Sequence, residues 1–239
     1  MSSVQISDYG YSSPGNPRGE AGFALSRRIL EELAACSAGE RICELGCGNG
    51  YLAGLLTDAG FQVTGVDASK TGIAIARKTH GDCDFLCRPI EPELADVLGR
   101  DRFDAVVSTE VIEHMYHPRG LLDVAFSILR PRGLLLLTTP YHGYLKNLAI
   151  ALSGRFDNHV NPLWDGGHIK FFSRRTLAAL VSVSGFTDVS FSYFGRAPLL
   201  WKSMVCMARK EGKVGALRTQ GKRSEACGAG EEMARGISG

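Results

Sequence analysis

The chain has 239 residues, 44% of them hydrophobic and 22% charged, enough apolar mass to bury one domain-sized core. A formal charge of +2 leaves no electrostatic footprint for a long nucleic-acid contact. The seven cysteines never form C-x-x-C, which disfavours a zinc site and fits reduced, mostly buried thiols in a cytoplasmic protein.

Residues 1–19 are rich in Ser, Gly, Pro and Tyr and read as a flexible leader with no secretory signal. Glu20 to Ala35 has helical spacing through Phe23, Leu25, Ile29, Leu30 and Leu33. A strand over Arg41–Leu45 and a helix over Tyr51–Ala59 follow. A second strand, Gln62–Val66, leads to a helix over Lys70–Thr79 capped by Ser69. The third strand is Cys83–Cys87, with a short helix within Glu91–Leu98. The fourth strand is Phe103–Ser108, and Pro118 opens a helix to about Leu129. Arg130–Gly133 reads as a tight turn before a fifth strand, Leu134–Thr138.

This alternation predicts an α/β domain with a parallel sheet and helices on both faces. The pattern then changes. Tyr144–Leu152 is a short apolar helix with Lys146 at its margin, inside an expected lid over about 141–172. A helix over Arg174–Ser184 precedes strands at Val189–Phe194 and Leu199–Arg209. These two read as an antiparallel hairpin that closes a seven-stranded, mostly parallel sheet. The domain therefore spans 20–210, and 211–239 reads as a disordered tail. No apolar run reaches membrane-spanning length.

The chain is organised around Glu44-Leu45-Gly46-Cys47-Gly48-Asn49-Gly50, a glycine-rich turn between strand and helix. Alternate glycines let main chain turn sharply and bring bare N–H groups against a ligand. Asp67 ends the second strand, where an acidic side chain is placed to bind two ribose hydroxyls. A dinucleotide fold uses the same parts, but its G-x-G-x-x-G spacing fails here, since the sixth position from Gly46 is Tyr51.

Glu44-x-Gly46-x-Gly48-x-Gly50 with Asp67 beyond resembles the class I S-adenosylmethionine-dependent methyltransferases, over roughly residues 20–210. The resemblance implies a Rossmann-like fold with the hairpin at its end. It implies cofactor contacts from Glu44, Gly46, Gly48 and Gly50, from Asp67 and Ala68 at the ribose, from Ile90 at the adenine, and from Thr109 beside the methyl group.

A second constellation is Glu110-x-x-Glu113-His114; on a helix these three would share a face. The ubiquinone-biosynthesis O-methyltransferases are similar here, in this segment, in the apolar helix after strand five and in the Gly-x-His turn at Gly166-Gly167-His168. The small-RNA 2′-O-methyltransferases hold a divalent cation with a comparable set. The implied metal ligands are Glu110, Glu113, His114 and His168, suited to magnesium or a related divalent cation. Two other readings stay open: His114 as a general base beside Glu113 without metal, or a structural hydrogen-bond network.

The expected activity is methyl transfer from S-adenosylmethionine to a small aromatic or lipid-like acceptor, most simply at oxygen. The alternatives are an RNA 2′-O-methyltransferase and a catalytically silent cofactor-binding regulator. Residues 144–152 suit an active-site lid, or a peripheral membrane contact that collects a lipid-like substrate, as the resemblance suggests. Lys170, Arg174 and Arg175 suit a solvated face or an anionic substrate. Tyr9 and Tyr11 suit an unordered leader or a cover over the cofactor. His142 and His159 read as exposed loop histidines, and Trp164 with Phe171 and Phe172 as lid core or an aromatic wall.

Overall fold

The computed structural model describes residues 9–16, 19–154, 156–158, 160, 163 and 167–212. One seven-stranded sheet runs through it in the order β3-β2-β1-β4-β5-β7-β6. The strands are β1 (Arg41–Leu45), β2 (Gln62–Asp67), β3 (Asp84–Cys87), β4 (Phe103–Thr109), β5 (Leu129–Pro140), β6 (Phe186–Phe194) and β7 (Ser203–Lys210). β1 to β5 are parallel, and β7 lies antiparallel between β5 and β6. This is the expected Rossmann-like sheet with its antiparallel end.

The helices are α1 (Gly19–Ala35), α2 (Tyr51–Asp58), α3 (Lys70–Thr79), α4 (Leu94–Leu98), α5 (Pro118–Ile128), α6 (Tyr144–Leu152) and α7 (Arg174–Val183). The Leu134–Leu137 run shows why it is unbroken by polar residues. Leu134 and Leu136 pack with α1, α2 and α3 on one face, and Leu135 and Leu137 with α4, α5 and α7 on the other. A parallel strand covered on both faces needs apolar residues at every position. Ser69 caps α3 as expected, its hydroxyl accepting from Gly72 N at 2.9 Å.

The structure corrects the sequence reading at three places. Arg130–Gly133 is not a separate turn but part of β5, a strand of 12 residues. Leu129 pairs with Phe103, the register slips between Phe103 and Ala105, and Arg132 takes a φ of 65°. The bulge is pinned by Arg130, whose guanidinium meets Asp104 at 2.8 Å, and by Lys210 Nζ, which donates to the Leu129 carbonyl at 2.6 Å. Next, residues 110–114 do not form an α-helix: Glu110 has a φ of 53°, and Ile112–His114 make a single 3-10 turn. Finally, Lys146 is not marginal. It is buried on the inner face of α6 while Tyr144, Leu145, Leu148 and Leu152 stand exposed.

No helix among the described residues is long and apolar enough to cross a membrane. Residues 1–8, Arg155, His159, Trp164, Gly166 and nearly all of the expected tail lie outside the described residues.

Candidate active site

The glycine turn lies where β1 meets α2, at the C-terminal edge of the sheet. Gly46 N and Cys47 N both donate to the Val66 carbonyl, at 2.7 and 3.0 Å, which pins the turn to β2. Gly46 and Gly48 have φ values of 84° and 55°. A Cβ on Gly46 would strike Val111, and one on Gly48 would strike the Tyr11 hydroxyl. Both constraints demand glycine: the backbone is left-handed and the space is taken. Gly50 completes the turn, its N donating to Cys47 O at 2.9 Å.

Asp67 is held by main chain. Its Oδ2 accepts from Gly48 N at 2.8 Å and its Oδ1 from Ser69 N at 2.7 Å. The strand end is thereby locked to the turn, with the carboxylate fixed between them. Ala68 follows it, its carbonyl approached by Cys87 Sγ at 3.8 Å, and Arg88 N donates to Asp67 O at 2.9 Å. Ile90 is half-buried just beyond. Glu44 is buried behind the turn, where it accepts from the Ala53 N–H. Burial, and then the nearby charge of Asp67, push its carboxyl up to about 8.

The N-terminal segment crosses this cradle. The buried Asn49 side chain donates to the Ser13 and Gly15 carbonyls, both at 2.8 Å, and Tyr11 N donates to Thr71 Oγ1 at 3.1 Å. Residues 9–16 have no regular structure, yet they are bolted to the glycine turn. Tyr9 reaches further: its hydroxyl sits 3.1 Å from His114 Nδ1, with the rings edge-on at 5.9 Å.

The end of β4 builds the second half of the site. The left-handed Glu110 turns the chain away from strand geometry, so its side chain accepts from Thr138 Oγ1 at 3.1 Å. Glu113 is fully buried and accepts from Thr139 Oγ1 at 3.0 Å. His114 Nε2 lies 4.0 Å from Glu113 Oε1. The Glu113 carbonyl accepts from both Ile169 N and Lys170 N at 3.0 Å, which draws the far leg of the insertion onto this turn. His168 thereby comes to 4.9 Å from His114, ring to ring.

Of the implied metal ligands, Glu113, His114 and His168 bring donor atoms within 4.8 Å of one another. Glu110 lies outside that group, because the helix that would have aligned it does not form. Thr109 ends β4 with a buried hydroxyl that has no hydrogen-bond partner among the described residues.

Other singled-out residues fall elsewhere. Phe172 is core, and Phe171 packs edge-on against His142 at 5.0 Å. Arg174 lies over the Phe191 ring at 5.7 Å. Sequence reasoning missed the anchoring role of Asn49 and the support from Thr139. The first is visible only as a polar residue among the glycines, the second only as a Thr-Thr pair closing an apolar strand.

The fold and the glycine-turn site define an S-adenosylmethionine-dependent methyltransferase domain. A model of the methyltransferase domain family matches residues 20–190, and the chain belongs to that family. It is 35% identical over 124 residues to the ubiquinone biosynthesis O-methyltransferase of Rhodopseudomonas palustris (strain BisB5), covering 50% of this chain and 47% of that protein. The chain thus spans about half the length of the curated relatives it matches. A SAM-dependent methyltransferase from Archaeoglobus fulgidus superposes with a TM-score of 0.63 at 17% identity, over 81% of this chain and 96% of that one. The magnesium protoporphyrin IX methyltransferase of Synechocystis PCC 6803, solved with bound SAH, gives 0.58 at 17% identity, over 85% and 90%. At such identities the two structures show the shared fold.

Proposed function

We propose that the domain methylates an oxygen of a small aromatic or lipid-like acceptor, with His114 receiving the acceptor's proton. The carrying observation is the position of His114, between the buried Glu113 carboxylate and the Tyr9 hydroxyl at the open end of β4. The name of the R. palustris relative supports oxygen as the methylated atom.

S-Adenosylmethionine, when bound, supplies an electrophilic methyl carbon on its sulfonium. The residues present fit that molecule. Gly46 and Gly48 hold the left-handed turn at the end of β1, where a Cβ would strike Val111 or Tyr11. Asp67 is a carboxylate fixed at the end of β2 by the backbone N–H groups of Gly48 and Ser69, and a carboxylate there suits a ribose diol. Ala68 and Ile90 follow Asp67 toward the adenine, and the buried Thr109 hydroxyl supports a polar ligand contact at the end of β4. Fixing the reactants in line supplies most of the rate. His114 takes the acceptor proton, and the Glu113 carboxylate stabilises the imidazolium that results.

A second reading is favoured by the 4.8 Å grouping of Glu113, His114 and His168, a mixed carboxylate–imidazole set suited to a divalent cation. Such an ion would acidify and orient the acceptor. The outward row Tyr144, Leu145, Leu148 and Leu152 supports a peripheral membrane contact and hence a lipid-like acceptor.

The test is methyl transfer from labelled cofactor to catechol. His114→Ala should slow turnover about a hundredfold or more while S-adenosylhomocysteine affinity stays unchanged. A fully active alanine variant refutes the role. Loss of activity on chelation, restored by magnesium or manganese, selects the metal reading; indifference to chelator removes it.

A further inference from the structure

α6 is built inside out. Its third residue, Lys146, is 6% exposed, and Ile150, one turn later on the same side, is 9% exposed. Tyr144 and Leu152 on the other side are 79% and 80% exposed. Lysine is among the residues most rarely buried, and an isolated buried ammonium is costly. A helix with several leucines free to face inward has instead turned a cation in.

The Lys146 Nζ makes one long hydrogen bond, 3.4 Å, to the Lys202 carbonyl, and no described carboxylate ion-pairs with it. The same carbonyl already accepts from Tyr141 N at 3.1 Å. Arg196 and Lys202, both exposed at the rim, add charge of the same sign, while Glu110 opposes it from the end of β4. Loss of water, then Arg196, lowers the Lys146 amine to about 8, with Lys202 adding to the fall and Glu110 working against it.

Beside the lysine stands an aromatic group. Tyr141 meets Trp201 edge-on at 5.3 Å and Tyr193 edge-on at 5.5 Å, and Tyr193 stacks on Trp201 at 4.2 Å. Tyr141 follows directly on β5, and Trp201 adjoins Lys202, whose carbonyl Lys146 holds. A buried ammonium, two exposed cations near it and an aromatic cluster together match one ligand chemistry: an aromatic ring that carries an anionic oxygen.

We infer that Lys146, with Arg196 and Lys202 at the rim, forms an acceptor subsite that binds the carboxylate of an aromatic acid. This deepens the proposed methyl transfer and rests on it. Glu113, His114 and His168 would meet the reacting hydroxyl, and Lys146 would hold the acidic end. Lys146 is a specificity residue: it recognises a part of the acceptor that does not react.

The experiment uses the full chain saturated with S-adenosylhomocysteine. Benzoate and benzamide, alike in shape and different in charge, are titrated while tryptophan fluorescence is followed. Benzoate should bind about tenfold or more tightly than benzamide. Lys146→Met should bring benzoate down to the benzamide level, while Lys146→Arg should keep most of the preference. Equal binding of the two in the unaltered protein, or a preference untouched by Lys146→Met, overturns the assignment. Should Lys146→Met not fold, Arg196→Gln with Lys202→Gln on the exposed rim decides. Benzoate affinity falls about threefold or more if the subsite exists, and an unchanged affinity rejects it. Failure of the methyltransferase reading shows separately, as no thermal shift with S-adenosylhomocysteine.

Discussion

Replacing Asp67 with asparagine separates two jobs of one carboxylate. In the free protein its oxygens accept from Gly48 N and Ser69 N, at 2.8 and 2.7 Å. An amide presents one oxygen and one NH2, so one of these N–H groups would face a donor. Losing one hydrogen bond to a charged group costs about 1.5–3 kcal/mol, so the free variant should unfold more easily by that amount. The cofactor's ribose would add two O–H donors to the same carboxylate. Losing the charge and one acceptor there should cost a further ~2–3 kcal/mol, or about 30- to 150-fold in affinity. Urea unfolding reads the first quantity, and calorimetric titration with S-adenosylhomocysteine reads the second. A variant that loses stability yet binds S-adenosylhomocysteine as before would make Asp67 a purely structural clamp, and the ribose assignment would fail.

Three further outcomes are expected. Thr139→Val keeps shape but removes the donor to buried Glu113, and should lower urea-unfolding stability by about 1–3 kcal/mol; no change would mean that the hydroxyl does not support the carboxylate. Tyr9→Phe removes the phenol beside His114 Nδ1, and should cut kcat by roughly three- to tenfold and shift its pH profile, with S-adenosylhomocysteine affinity unchanged. A variant with the unaltered profile would show that Tyr9 does not position the imidazole. Glu44, raised from 4.5 to about 8, is protonated in the folded state at pH values where the unfolded chain has lost the proton. Its stabilising effect is complete below about 4.5 and is lost as pH rises through about 8, so Tm should fall across that window. Glu44→Gln should flatten the decline; an equal slope in both proteins would assign it to other groups.

The parts read well from sequence are those fixed by local chemistry. The glycine turn, the Ser69 cap and the apolar strand runs each carry their own signal within a few residues. The misreadings arose where distant contacts decide. Arg130–Gly133 looks like a turn, but pairing of Leu129 with Phe103 and the Lys210 amine keep it in the sheet. Glu110-x-x-Glu113-His114 has helical spacing, but the hydrogen bonds of Glu110 N to Thr138 O and Oγ1 hold the chain in a left-handed bend. Lys146 had to be inside for reasons its neighbours in sequence do not reveal. Tyr9 meets His114 across 105 positions, a distance no local pattern encodes.

The insertion between β5 and α7 is tethered at both roots through main-chain donors, Tyr141 N to the Lys202 carbonyl and Ile169 N and Lys170 N to the Glu113 carbonyl, with the Lys146 side chain adding a longer bond to the Lys202 carbonyl. Peptide groups are the same whatever side chain they carry, so these main-chain anchors do not depend on the side chains of the stretch between them. It behaves as an exchangeable cassette on a constant socket.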